Sequence, residues 1–424
     1  MSSSRPAASY TAVFRLPHAR RTFIAALVGR SGYGVVSLSL VLSLTSATGS
    51  LAVGGLLSTL FAAVSVVVSP AKAALVDRWG ARRTLPALAL PFAGALFGLA
   101  LCAGQFDRPG VGGLAALSAC AGATCPPLGP TMRAVWSALA PEEALLQRAF
   151  SLDTVAEELI FLSGPLIAVA VHPVRGLVLS GTLIAAGSLA LAASPAARLI
   201  APVRKGAATP VRLRLVGGLV GGEGAGVRRA ACAALGVGAC LSGLDLYVIA
   251  FADRSHHPSA VGPILALQSA GSAVGGLVHG RVSWRRPAAA RLPYLLAGLA
   301  VLLAANAFAY ALPVLAVCVA AAGTLSSPTL STAYLAAARL APEGSATRAT
   351  TWVNSGVNAG SSAGGALAAL LVTRAPLPLC FLVTAAAAAC AALAARGRRS
   401  HRAAPAEAPS GPPGRSGAGV GPSS

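Results

Sequence analysis

Residues Ala73–Leu85 read AALVDRWGARRTL and join two long apolar runs. Within them lie Asp77, Arg78, Gly80, Arg82 and Arg83, so a charged turn sits between two segments too apolar for water. Gly80 permits a turn that a residue with a Cβ resists. The arginines favour the cytoplasmic face of a membrane, where anionic lipid attracts them. Asp77 is the odd member, because a lone carboxylate at a helix end near lipid is costly unless it is paired.

On either side of this turn the chain stays apolar. Its 424 residues are 55% apolar and 11% charged, with a mean hydropathy of +0.72. Apolar stretches of about 20 residues recur along nearly the whole length, which is the transmembrane-helix signal. The alternation expected of a membrane β-barrel is missing. A net charge of +21 suggests nucleic acid, but the Arg and Lys residues fall between apolar runs, which argues for a bilayer and against nucleic acid as partner. The eight cysteines lie in or beside apolar runs without a Cys-x-x-Cys pair and read as small apolar filler, with no metal site. The glycines between Gly217 and Gly226 lack a following Lys-Ser/Thr and a preceding strand, so they are not a nucleotide loop. His256 and His257 read as solvated loop residues.

The expected organisation is a cytoplasmic tail (1–21), a six-helix half (22–195), a cytoplasmic linker (196–229), a second six-helix half (230–396) and a disordered tail (397–424). The fourth span is broken by Pro126, Pro127 and Pro130, the loop after it covers Ser137–Arg148, and Lys72 snorkels to the end of the second. On this layout 27 Lys and Arg fall on the cytoplasmic side and 4 outside. That asymmetry places both termini inside the cell membrane with an even number of spans.

The chain also repeats itself about 200 residues on. Ala140-Pro141-Glu142 to Arg148 recurs as Ala341-Pro342-Glu343 to Arg348, and Pro130-Thr131 answers Pro328-Thr329. With Arg148 set on Arg348, Gly164 falls on Gly364 and Glu158 on Asn358. A degenerate echo of the charged turn appears at Leu277-Val278, Arg281, Arg285 and Arg286.

The turn resembles the signature loop between the second and third helices of the major facilitator superfamily, Gly-x-Leu-x-Asp-Arg-x-Gly-x-Arg-x-x-Leu. Leu75, Asp77, Arg78, Gly80, Arg82 and Leu85 match, and Ala73 replaces the leading Gly. The resemblance covers about residues 20–396. It implies an all-α integral membrane protein of twelve transmembrane helices in two six-helix repeats. It also implies that Asp77 locks the halves together by facing the N-terminal end of a helix in the other half, whose partial positive charge suits an anion.

Ionisable residues inside spans are the functional candidates, since burying them in lipid is expensive. Arg30 lies in the first span, Asp153, Glu157 and Glu158 in the fifth and Asp245 in the seventh. Asp153, Glu157 and Gly164 are spaced to share one helix face. Arg30 and Glu157 sit at similar depth and are expected to pair, either as a proton-coupling pair or as a fixed ion pair. Glu158 points about 100° away and is expected to face the other half. Arg133, near the inner end of the fourth span, is expected to neutralise Asp77 or Glu142. Asp245 with Tyr247 offers a cation or proton site, and Asn354 and Asn358 offer hydrogen bonds in the eleventh span. Gly164-Pro165 resembles part of the Gly-Pro-x-x-Gly-Gly pattern of drug and proton antiporters, with Ala168 and Val169 in place of the final glycines.

These readings add up to a monomeric secondary transporter, not an enzyme, with a small molecule as substrate. It uses no cofactor and draws energy from a proton gradient. Export of a partly apolar compound is the first expectation and uptake of a small metabolite the second. A non-transporting membrane receptor is the alternative from another class.

Overall fold

A run of some twenty apolar residues can satisfy its backbone in lipid only by coiling into a helix, and the computed structural model shows that outcome along the chain. It describes residues 10–105, 110–140, 142–200, 224–342 and 344–396. Among the described residues twelve spans follow one another. The first six are Ala19–Thr48, Leu51–Trp79, Ala81–Gln105, a broken fourth made of Val111–Thr124 and Leu128–Leu139, Glu143–Ala170 and Pro173–Ala193. The second six are Ala225–Arg254, Val261–Arg281, Ala288–Ala305, Leu312–Leu340, Ala346–Val372 and Leu377–Ala395.

Ten of these are long and apolar enough to cross a membrane by composition alone. Glu143–Ala170 and Ala346–Val372 fall short, and they are equivalent members of the two halves, spans 5 and 11. Their polar residues have a structural cause. Span 5 packs on spans 8 and 10 and span 11 on spans 2 and 4, so both run along the seam between the halves. Within the halves the pairings also recur six spans on: 1 with 5 and 6, 2 with 4 and 3 with 6 are matched by 7 with 11 and 12, 8 with 10 and 9 with 12.

Most helices outrun the apolar segments by a few residues, because a helix continues into its charged ends. Span 5 begins at Glu143, inside the stretch read from sequence as a loop. Span 7 begins at Ala225, so Arg228 and Arg229 belong to it and not to a linker. Residues Tyr10–Arg15 of the expected tail form a short helix, and the Tyr10 hydroxyl donates to Leu277 O of span 8 (2.6 Å). Residues 201–223 of the linker and the tail from 397 lie outside the described residues.

Span 4 breaks at Cys125–Pro127, where two successive prolines cannot donate to a helix. Neighbours occupy the freed carbonyls: the Tyr33 hydroxyl donates to Pro126 O, and Lys72 Nζ donates to Gly122 O (3.1 Å). Lys72 is therefore buried against span 4 instead of snorkelling to the helix end, because the break offers it an acceptor.

Candidate functional site

The 73–85 turn closes as its residues predict. Gly80 takes φ 79°, a region that favours glycine, and the Thr84 hydroxyl donates to Leu75 O (3.2 Å). Arg78, Arg82 and Arg83 are exposed, whereas Asp77 is buried. Asp77 Oδ2 accepts the backbone N–H of Arg348 at 3.2 Å. Arg348 lies in the first turn of span 11, where backbone N–H groups have no partner within the helix. Asp77 thus caps a helix of the opposite half.

The other half-to-half bonds identified lie at the same end or near mid-span. Thr350 Oγ1 donates to Pro130 O (3.4 Å), and Gln147 Nε2 donates to His279 O (2.8 Å). Arg291 Nη1 donates to Gln147 Oε1 (2.7 Å). The bundle is therefore closed at the end carrying the turn.

About 15 to 20 Å up from that end, at 1.5 Å per helical residue, four charges meet. Arg30 Nη1 lies 2.6 Å from Asp153 Oδ1 and Arg30 Nη2 3.2 Å from Glu157 Oε1. Arg133 Nε lies 3.0 Å from Asp153 Oδ2, and Arg133 Nη2 contacts Glu157 Oε2. Each arginine holds both carboxylates. Arg30, Arg133 and Asp153 are at most 2% exposed, whereas the Glu157 side chain is 22% exposed and is the cluster's opening. Two cations and two anions balance, which is what makes such burial tolerable.

Arg133 differs from its expected role. It touches neither Asp77 nor Glu142; its long side chain reaches from the lower piece of span 4 to the depth of Arg30. Depth counted along the chain misses that reach. Its guanidinium also lies 3.6 Å from the ring centroid of Tyr334 in span 10, and the Tyr334 hydroxyl donates to Asn354 Oδ1 (3.2 Å). The cluster therefore extends across the seam to Asn354. Tyr334 was not anticipated, although the repeat that sets Pro130 on Pro328 sets Trp136 on Tyr334.

Glu158 points away from the cluster: Ser272 Oγ of span 8 donates to its Oε1 (2.6 Å) and accepts the N–H of Ser327 (3.2 Å). Asp245 lies near Gln268 of span 8. Tyr247 does not join it, because the ring is buried edge-on against Phe381 (5.6 Å) in span 12. Asn358 is exposed, and no hydrogen bond ties it or Asp245 to the cluster among the described residues. Gly164 lies against the Gly34 backbone, which a Cβ would strike, so Gly164-Pro165 sits at the crossing of spans 1 and 5. A separate groove of 330 Å³ between spans 7, 8 and 11 is lined mainly by Leu246, Ile249, Ala250 and Val261, with Asp253 as its charge; it includes no cluster residue.

Two repeated six-helix halves, closed on each other at one end and with a buried charge cluster deeper in the bundle, have the architecture of a helical membrane transporter. The sequence matches the profile of the Major Facilitator Superfamily over residues 22–313 and 230–418, and the chain belongs to that family. No curated protein matches it in sequence. Among solved structures it is similar to a bacterial homologue of the iron transporter ferroportin in an outward-facing state (TM-score 0.69, 15% identity, 90% of this chain and 98% of that one). It is similar also to the human organic anion transporter TETRAN (0.66, 15%, 90% and 100%) and to the fucose:proton symporter of E. coli (0.67, 13%, 90% and 98%). At these identities the likeness is one of fold.

Proposed function

We propose that this transporter couples the movement of a small, partly apolar compound to a proton by alternating access across the cytoplasmic membrane. Both termini are cytoplasmic in this reading, which the 27-to-4 charge asymmetry supports. The closed turn end then faces the cytoplasm and the site is reached from outside. It works as a monomer in the bilayer, without a cofactor.

The observation that carries the coupling is Glu157, 22% exposed and gripped by both arginines of an otherwise sealed cluster. A proton on Glu157 weakens both ion pairs and frees the arginines. A substrate that needs those arginines binds when the proton does, and the two travel together. That order favours uptake down the proton gradient. Export is the second reading, and the partial antiporter pattern at Gly164-Pro165 supports it, although the Gly34 crossing accounts for Gly164 without it.

Compounds screened in vesicles with an imposed pH gradient test the proposal. Wild type should concentrate its substrate, and Glu157→Gln should lose uphill transport while downhill exchange stays measurable. Undiminished accumulation by Glu157→Gln would place the coupling elsewhere, with Asp245 the next candidate.

A further inference from the structure

The Glu157 carboxylate lies between two buried guanidinium groups. Its oxygens meet Arg30 Nη2 at 3.2 Å and Arg133 Nη2, the forked donor arrangement that suits a planar anion. Asp153, fully buried, holds other nitrogens of the same two guanidinium groups. Arg133 Nη1, on a side chain with no exposure, makes no hydrogen bond, and neither do Arg133 Nε and Arg30 Nη2, which are held by ion pairs alone. Beside it Gly129 leaves space: a Cβ there would lie 3.5 Å from Arg133 Nη1, 3.6 Å from Glu157 Oε1 and 4.0 Å from Arg30 Nε. A buried donor without an acceptor is costly, and here it borders room for a methyl-sized group.

We propose that Arg30 and Arg133 form the binding site for a substrate carboxylate, and that Glu157 is the resident stand-in which the substrate displaces. The inference rests on the proton-coupled reading above and names its substrate class, a small organic monoanion. Charge fixes the stoichiometry. With Glu157 ionised, the cluster is neutral and a second anion would be unbalanced. With Glu157 protonated and turned aside, one substrate carboxylate restores neutrality, so one anion enters with one proton taken from solvent.

The groups facing Glu157 are Arg30 from span 1, Arg133 from span 4, Tyr334 from span 10, and Asp153 and Glu158 on its own helix. Of these, only the arginines bond its carboxylate, and Glu158 is turned to Ser272. Binding that takes up one proton strengthens by at most about tenfold per pH unit as pH falls. A Gln at 157 cannot ionise, so the dependence should vanish with it.

The test uses three probes of one shape, benzoate, benzamide and benzamidine, on the full chain in lipid nanodiscs, with ligand-induced thermal stabilisation as readout. For wild type, benzoate should bind more tightly at about pH 5.5 than at about pH 7.5. For Glu157→Gln it should bind equally at both, and at the higher pH at least about tenfold more tightly than to wild type. Gly129→Ala, which fills the space without a clash, should weaken benzoate in either background. Benzamide and benzamidine should not reproduce the effect. Benzoate that stabilises Glu157→Gln no better than wild type at the higher pH, or benzamidine that does so instead, overturns the anion site. If benzoate behaves as stated while no pH gradient drives its accumulation by wild type, the site stands and the proton-coupled reading falls.

Discussion

Asp153 and Glu157 share a helix face and the same two arginines, yet burial separates their roles. Asp153 is sealed, so Asp153→Asn leaves two buried guanidinium groups with one carboxylate between them. Breaking a buried pair from one side costs about 3–5 kcal/mol. Glu157→Gln leaves the same imbalance, but at a position 22% exposed, so Asp153→Asn should lower the melting temperature in detergent and the yield of folded protein more than Glu157→Gln does. Equal melting temperatures for the two variants would contradict this division. The Arg30–Glu157 pair was legible in the sequence, since two opposite charges inside apolar spans at equal depth have few other partners. Arg133 was not legible as a member, because its long side chain and the break at Cys125–Pro127 carry it further than its position suggests. Lys72 was misread for the same reason, its acceptor being a carbonyl that exists only because span 4 breaks.

At the scale of helices, Asp77 meets the first turn of span 11, and a carboxylate there interacts with the helix dipole by about 0.3–2 kcal/mol. Asp77→Asn keeps an acceptor but loses the charge. It should impair transport more than expression by shifting the equilibrium away from the state closed at the turn end. Normal transport by this variant would reduce the turn to a topology signal. Gly164→Leu should be far more damaging to folding, because the Gly34 backbone leaves no room; overpacking costs about 1–3 kcal/mol even where neighbours can adjust. Gly94→Leu is its control, since nothing lies within 4 Å of a Cβ at Gly94. Folded yields that are equal for the two would refute the crossing as a packing constraint. The charged turn and the six-span repeat came from local patterns in the chain, and the meeting of Asp77 with a helix end came from the resemblance that the turn carries. That Glu158 faces the other half was legible from its angle on the helix; its partner Ser272 was not, since a serine looks like an ordinary polar residue in a helix.

For the whole molecule, the bonds between the halves gather at the turn end, while spans 5 and 11 are too polar to face lipid all round. A bundle held at one end by single hydrogen bonds and small ion-pair groups can exchange those contacts for others at the far end without refolding either half. The charge cluster sits between, where a proton can bias the exchange. The most direct test is to measure electron-spin distances across both ends as pH changes. Labels at the exposed Arg83 and Arg285 report on the turn end, and labels at the exposed Leu51 and Phe308 report on the other. Between about pH 7.5 and about pH 5.5 the two distances should shift in opposite senses, and Glu157→Gln should remove the pH response. Distances that stay fixed at both ends, or widen together, would contradict a proton-biased alternation of the two halves.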